Sequence, residues 1–186
     1  MDSTYSVAII GCGVVASKHM RAITSMPRRL RLIGVADPNT EQSRKIINEH
    51  FKQSDIPIYN SLSELLEHCE PDIVAITTPS GTHFELAREA MTARCNLVLE
   101  KPMTLDLSEA RALLDLAEEK EVNLVMGHIY RYAPLLDLIQ SDIATGRFGK
   151  VFSGDVKVRW GHDQAYYDRS PWRGTWAQDG GALMNQ

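Results

Sequence analysis

The chain has 186 residues with a net charge of −4, and 44% of its residues are hydrophobic and 24% charged, which is ordinary for a globular protein. The acidic balance gives no reason to expect a nucleic-acid partner, and no apolar run approaches the roughly 20 residues of a membrane helix. Three scattered cysteines predict neither a disulfide framework nor a metal site, and the N-terminus lacks a signal-peptide pattern, so we expect a cytoplasmic protein.

A glycine-rich turn separates the first predicted strand from the first predicted helix. Residues 5–10 form a short apolar run with β-branched side chains, which indicates a buried strand, and helical spacing of apolar residues follows the turn. Gly11 permits the tight turn, and Gly13 lets the backbone approach a pyrophosphate closely. The free N–H groups at the helix start, at Val14 and Val15, are then expected to hold the phosphates of a dinucleotide.

The second predicted strand, residues 30–36, ends in an acidic residue. Asp37 follows the glycines by about 20 residues, the position of the acid that hydrogen-bonds a ribose in dinucleotide-binding folds. Its carboxylate suits a 2′-hydroxyl and repels a 2′-phosphate, which favours NAD over NADP. The alternative is an ordinary tight turn at residues 11–13 and an acid in a surface turn before Pro38.

Strand and helix patterns continue to alternate as far as residue 126. This alternation predicts an α/β fold with a doubly wound parallel sheet, the Rossmann arrangement. The further strands are predicted at residues 57–59, 72–77, 96–99 and 122–126. Helix caps, two of them capping boxes, are predicted at Asn39, Ser61, Thr82 and Asp106.

The alternation of strand and helix patterns ends after residue 128, where we place a domain boundary. Residues 1–128 are expected to form the dinucleotide-binding domain and residues 129–186 the opening part of a substrate and oligomerisation domain. Pro134 suits the first turn of a helix. Apolar and polar side chains alternate over residues 151–160, which is typical of an antiparallel strand with one solvent-exposed face. The second domain is therefore predicted to be α+β.

Three loops leave the carboxyl ends of the predicted strands and are expected to face one crevice. They are Gly11–Val15, Thr77–His83 and Glu100–Pro102. Lys101 directly follows a buried strand, so partial burial is expected to lower its pKa and suit it to proton transfer. The alternatives are a solvated Lys101 paired with Glu100, and a His83 that caps or packs. The cofactor-binding candidates in the last two loops are Thr77, Thr78, Pro79, His83, Glu100 and Lys101.

The glycine turn, the stretch Thr78–His83 and the Glu100–Lys101–Pro102 motif together resemble the Gfo/Idh/MocA oxidoreductases over the whole chain. The resemblance implies oxidation or reduction of a sugar or cyclitol carbinol with a nicotinamide cofactor. It implies a catalytic Lys101 beside the reacting carbon, before a proline that is often cis. It also implies that Arg131 lines the active site and contacts cofactor and substrate.

The end of the chain resembles the nucleotide-sugar branch of that family. The stretches at 166–176 and 179–186 carry this resemblance, which implies that Trp172 and Arg173 approach the cofactor from the second domain. Arginine offers a bidentate fork for a pyrophosphate. The alternative is that the tryptophans, Trp176 above all, anchor a core. Asn185 stands where many members carry Asp, and since an amide does not ionise, it is expected to hydrogen-bond substrate.

These observations predict an NAD-dependent sugar dehydrogenase, expected to form a homo-oligomer at full length. A histidine of the family is expected beyond Gln186, so we expect residues 1–186 to bind cofactor without turnover. The rival hypothesis is a non-catalytic module that senses NAD or a nucleotide sugar. A methyltransferase also combines a glycine-rich turn with an acid after the second strand, but the sixth parallel strand and Glu100–Lys101–Pro102 argue against it.

Overall fold

The computed structural model describes residues 4–52 and 55–185, and its centre is a six-stranded parallel sheet. The strands are β1 (Tyr5–Ile10), β2 (Leu30–Ala36), β3 (Ile58–Tyr59), β4 (Ile73–Ile76), β5 (Asn96–Leu99) and β6 (Leu124–Met126). The helices of the described residues are α1 (Ala16–Ser25), α2 (Thr40–His50), α3 (Leu62–His68), α4 (His83–Thr92), α5 (Leu107–Lys120), α6 (Pro134–Ala144), α7 (Gln164–Asp168) and α8 (Ala182–Asn185). Within the described ranges, no helix combines the length and apolar character needed to cross a membrane.

The strand order is β3-β2-β1-β4-β5-β6, and every neighbouring pair is parallel. The order reverses between β1 and β4, so the loops after these two strands diverge and leave a crevice at the carboxyl edge of the sheet. The predicted doubly wound sheet is confirmed.

Helices cover both faces of the sheet, and each face has its own apolar cluster. Successive residues of β1 point to opposite faces. Ile10 therefore packs in the cluster that contains Met91 of α4, while Ile9 packs with Met20 of α1 and Ile47 of α2. All five side chains are at most 4% exposed, and burial of each contributes about 1.5–3 kcal/mol.

Side-chain caps fix the starts of three of the helices that pack on the sheet. Asn39 and Asp106 accept backbone N–H bonds at the starts of α2 and α5, as predicted. Ser61 caps α3 by accepting from the N–H of Glu64 at 3.1 Å. The predicted reciprocal bond is shifted by one residue, because the Glu64 carboxylate accepts from the N–H of Asn60 at 2.7 Å.

Ser6 and Asp72 connect the N-terminal ends of the two central strands, β1 and β4, by hydrogen bonds, a contact that we call the clasp. The N–H and the hydroxyl of Ser6 donate to Oδ2 of Asp72 at 2.7 and 2.6 Å, and the N–H of Asp72 donates to the Ser6 hydroxyl at 2.9 Å. These hydrogen bonds lower the pKa of Asp72. The clasp marks the alignment of β1 with β4, whose first paired residues are Val7 and Ile73.

The segment after β6 differs from the prediction in one element. Helix α6 begins at Pro134 as expected, but residues 151–160 form no strand and have no ladder partner among the described residues. The alternating side chains make residues 151–160 an amphipathic segment, which we call the ribbon. A β-strand forms only when a neighbouring strand pairs with its backbone N–H and C=O groups. The apolar side chains of this ribbon are exposed: Phe152, Val156, Val158 and Trp160.

Candidate functional site

The carboxyl edge of the sheet carries a cleft of about 1270 Å³ at the point where the strand order reverses. All but two of the predicted site residues line this cleft: Gly11, Gly13, Val14, Val15, Asp37, Thr77, Thr78, Pro79, Glu100, Lys101, Trp172, Arg173 and Asn185. The three predicted loops therefore do face one crevice, and the segment around residues 166–173 forms its opposite wall.

The two glycines of the turn meet different surroundings. Gly11 has φ +88, and a Cβ there would lie 2.8 Å from Thr78 Cγ2 and 3.0 Å from the Thr77 carbonyl group. The Thr77 hydroxyl also donates to the Gly11 carbonyl at 2.5 Å, which packs the turn against the loop after β4. A Cβ on Gly13 would meet nothing within 4 Å. Gly11 is required by the fold, whereas Gly13 opens space for a ligand.

Asp37 lies at the tip of β2 and stabilises the glycine turn. Its Oδ2 accepts from the N–H of Cys12 at 2.7 Å, and its Oδ1 accepts from the N–H of Asn39 at 2.8 Å. The side chain is only partly buried, and a carboxylate accepts up to about four hydrogen bonds, so acceptor sites remain toward the cleft. The thiol of Cys12, in the glycine turn, is fully buried. Burial raises the pKa of Cys12 to about 11; the Asp37 charge adds a smaller increase, and a hydrogen bond with Ser43 opposes it.

The loop after β4 contains one predicted cap that is wrong. Thr82 makes no side-chain bond to a backbone N–H of α4. Its hydroxyl lies 2.8 Å from both the Pro79 carbonyl and the Thr78 hydroxyl, and because a carbonyl only accepts, the single hydroxyl proton of Thr82 is donated to Pro79. The short 3₁₀ turn Ser80–Thr82 already connects the loop to α4, so the hydroxyl ties the loop back on itself.

His83 lies beneath this loop and is 1% exposed. Its Nδ1 is 2.7 Å from the Pro102 carbonyl and its Nε2 is 3.1 Å from the Thr78 carbonyl. Burial lowers the pKa of His83, although the two hydrogen bonds act to raise it. The ring is therefore neutral and carries a proton on only one nitrogen. Because the contact of Nδ1 is the shorter of the two, we assign the proton to Nδ1. His83 thus links two cleft loops from below, which corresponds to the packing alternative.

Glu100 is held by a histidine that no sequence motif identifies. His19 on α1 lies with its Nε2 2.9 Å from Glu100 Oε1, and because a carboxylate only accepts, His19 donates. A Cβ on Gly127 would lie 3.0 Å from the same carboxylate. Burial alone would raise the pKa of Glu100, but the His19 bond and the backbone N–H and charge of Lys101 lower it overall. Glu100 therefore stays ionised.

Lys101 is exposed to the cleft and precedes a cis proline, as the family resemblance implied. Its ammonium group donates to the backbone carbonyl of Asn185 and, at 2.6 Å, to the Asn185 side-chain oxygen. Partial burial lowers the pKa of Lys101, and the negative charges of Glu100 and Asp179 oppose this shift. A lowered pKa is what a lysine needs to exchange a proton near neutral pH.

The opposite wall contains an arginine with unused donors. The guanidinium carbon of Arg173 lies 3.9 Å from the centroid of the Tyr166 ring and 5.2 Å from that of Trp172. Its Nε and Nη1 are buried and have no hydrogen-bond partner among the described residues. Buried donors require acceptors, so this wall is suited to an anionic or oxygen-rich ligand. Trp176, predicted as a core anchor, is 84% exposed, which contradicts that prediction.

Arg131 is the second predicted site residue outside the cleft. It is exposed on the 3₁₀ turn Ile129–Tyr132, which follows β6. The residues near the cleft that the sequence-based set did not include comprise His19, Tyr166 and Asp179.

The sequence model of the family described as "Oxidoreductase family, NAD-binding Rossmann fold" matches residues 5–128. The chain belongs to the Gfo/Idh/MocA oxidoreductase family. The matched range contains the sheet, the glycine turn and the Glu100–Lys101–Pro102 motif, so the resemblance first noted on those residues is confirmed.

Similar proteins within the Gfo/Idh/MocA family are sugar dehydrogenases. UDP-N-acetylglucosamine 3-dehydrogenase of Acidithiobacillus ferrooxidans is 34% identical over 71% of this chain and 39% of its own length. Glucose-6-phosphate 3-dehydrogenase of Bacillus subtilis is 29% identical over 93% of this chain and 46% of its own length. The structure of the WlbA dehydrogenase from Bordetella pertussis, in complex with NADH and UDP-GlcNAcA, matches all of this chain at 32% identity and a TM-score of 0.93. The chain covers 55% of that structure and under half of the two relatives.

The cleft fits the dinucleotide that defines the Gfo/Idh/MocA fold. Open space lies above Gly13, free carboxylate lone pairs lie at Asp37, and buried unpaired donors lie at Arg173. These are the groups that a pyrophosphate and a ribose require.

Proposed function

We propose that the cleft binds NAD in preference to NADP, and that the protein transfers a hydride between a sugar carbinol, carried on a nucleotide, and nicotinamide. The single observation that carries this proposal is the convergence of the glycine turn, Asp37 and Lys101 on one cleft. The similarity to the WlbA dehydrogenase, whose structure contains NADH and UDP-GlcNAcA, supports the choice of a nucleotide sugar.

In this proposal the chain binds and orients the cofactor through four groups. The N–H groups of Val14 and Val15, at the start of α1, hold the pyrophosphate. Asp37 accepts from the adenosine ribose, and Arg173 donates from its unpaired Nε and Nη1 to cofactor or substrate oxygens. When bound, NAD supplies the hydride acceptor; the chain supplies position and the movement of one proton.

Lys101 is the group that moves this proton. Its Nζ is held between Asn185 and the cleft, and burial favours the neutral amine that accepts a proton from a carbinol. In the reverse direction the ammonium form returns the proton. Asn185 holds the lysine and offers its remaining hydrogen-bonding capacity to the substrate.

The proposal is tested first by binding. Isothermal titration of the 186-residue chain with NAD and NADP should give a measurable Kd for NAD and a weaker one for NADP. Absence of NAD binding would refute the proposal. Residues 1–186 alone are expected to bind NAD without turnover under both hypotheses, so the sensing module is distinguished in a full-length form. Binding of NAD there without its reduction by UDP-sugars would favour the sensing module over the dehydrogenase.

Substitution of the lysine tests the chemical role. In a full-length enzyme, Lys101→Met should retain NAD binding and lose at least about 100-fold in turnover, the usual scale of general acid–base catalysis. Lys157→Met is the matched control, because Lys157 is 71% exposed and lies outside the cleft. Equal turnover of the two variants would return Lys101 to the role of a solvated loop lysine.

A further inference from the structure

We propose that Asp179 is a positioning residue for the proton-transfer group. It orients the side-chain amide of Asn185 so that the amide oxygen, and not the amide nitrogen, faces the ammonium group of Lys101. The inference rests on the proposed function only in taking Lys101 as the group that moves the proton.

Asp179 is a buried carboxylate with both oxygens in use. It is 4% exposed, its Oδ1 accepts from Nδ2 of Asn185, and its Oδ2 accepts from the N–H of Gly174 at 2.7 Å. Its own N–H donates to the Thr175 carbonyl at 2.9 Å. The carboxylate is therefore fixed from two sides and cannot follow a rotation of Asn185.

The chemistry of the three groups permits one orientation of the amide. A side-chain amide has an acceptor end and a donor end, an ionised carboxylate only accepts, and an ammonium group only donates. Asn185 lies between the two, with its oxygen 2.6 Å from Lys101 Nζ. A flipped amide would place oxygen against carboxylate and NH₂ against ammonium, which loses two hydrogen bonds inside a site where Asn185 is 7% exposed.

The charge of Asp179 acts on Lys101 as well. Two carboxylates face the lysine, Glu100 from its own loop and Asp179 from the turn before α8; both raise the pKa of Lys101 against the larger effect of burial. Glu100 is in turn bonded to His19. Asp179 therefore acts on the lysine in two ways without touching the reacting atoms: it orients the amide that accepts from Lys101, and its charge, after the larger effects of burial and Glu100, contributes to the Lys101 pKa.

Nuclear magnetic resonance of chains carrying ¹³Cε-lysine gives a test that needs no substrate. The Lys101 signal is assigned by its absence in Lys101→Met, and its titration midpoint is compared across variants. Asp179→Asn should lower the midpoint, because a negative neighbour is lost. Asp155→Asn, which removes an equal charge from a side chain that is 73% exposed, should leave the midpoint unchanged.

A reciprocal exchange provides the decisive comparison. In the double variant Asp179→Asn with Asn185→Asp, the new amide accepts from Gly174 and donates to the new carboxylate, which then faces Lys101 directly. The midpoint should rise above that of the unaltered chain, and the fold should be as stable as before. A merely structural role for Asp179 would leave the Lys101 midpoint of the single variant unchanged, and that result would overturn the proposal.

Two further measurements distinguish failure of the proposal for Asp179 from failure of the variant to fold and from failure of the proposed function. Should Asp179→Asn fail to fold, the Asn185 side-chain NH₂ protons of the unaltered chain are followed by hydrogen exchange. They should exchange much more slowly than those of the exposed Asn48, and equal rates would overturn the proposal. NAD titration of the same samples tests the proposed function independently, since the Lys101 midpoint is measured without cofactor.

Discussion

Replacement of the two glycines of the first turn by alanine should separate folding from binding. At Gly11 an alanine must adopt φ +88, which costs about 1–2 kcal/mol for an L-residue in the left-handed region. Its Cβ would also lie 2.8 Å from Thr78 Cγ2 and 3.0 Å from backbone atoms of Thr77, and overpacking of this kind costs about 1–3 kcal/mol. Gly11→Ala should therefore lower the free energy of unfolding by about 2–5 kcal/mol, a large part of the roughly 5–15 kcal/mol typical of a domain.

Gly13→Ala is the matched variant, because it adds the same methyl group two residues away in open space. The free energy of unfolding should change by less than about 0.5 kcal/mol. The methyl group would occupy space that we assign to the pyrophosphate, so NAD should bind roughly tenfold or more weakly.

Urea unfolding and calorimetric NAD titration of both variants check these values. Wild-type stability of Gly11→Ala would refute the account of the turn. Unchanged NAD affinity of Gly13→Ala would refute the placement of the pyrophosphate, whatever the result for Gly11.

Three further predictions follow from the described contacts. Asp37→Ala should weaken NAD binding by about 1–3 kcal/mol and reduce the preference over NADP, and a calorimetric preference for NADP in the unaltered chain would contradict it. Cys12 should resist iodoacetamide in the folded chain at pH 8, where Cys69 is more accessible, because burial raises the Cys12 pKa to about 11; peptide mapping by mass spectrometry checks this. Ser6→Ala should lower the free energy of unfolding by about 0.5–1.5 kcal/mol at pH 7. Because the pKa of Asp72 is lowered in the folded chain, this loss should become smaller as the pH falls below about 4 and the carboxylate is protonated. Urea unfolding at about pH 7 and below about pH 4 measures the difference.

The sheet could be predicted from the sequence because each of its elements carries a local signal. Strands β1, β2 and β5 begin and end at the predicted residues, and Asn39 caps α2 as its position indicated. Exposure within a helix is less predictable from the sequence: Leu113 is buried in α5, but its equally apolar neighbour Leu114 is 54% exposed. Neighbouring helical positions differ by about 100°, so the edge of an apolar stripe depends on what packs against it.

The parts of the site that could not be predicted are contacts between distant segments. The His19–Glu100 bond joins residues 81 positions apart, and the unused donors of Arg173 depend on its stacking over Tyr166. Residues 151–160 have the alternation of a strand, but pairing needs a second edge that the pattern cannot specify. The boundary at residue 128, the cytoplasmic location and the oligomer at full length stay predictions.

The clasp between Ser6 and Asp72 has a consequence for how the chain folds during synthesis. Strand β1 lies at the centre of the sheet, and its second edge is covered by β4, which the ribosome makes about 65 residues later. Until then the first βαβ unit has an open, apolar edge. Residue 72 emerges immediately before β4, so its carboxylate can engage Ser6 at the moment pairing begins and set the first rung at Val7 and Ile73. The three bonds of the clasp belong to the register that pairs Val7 with Ile73, so a shift of β4 by one residue would lose them together with the match of the apolar faces.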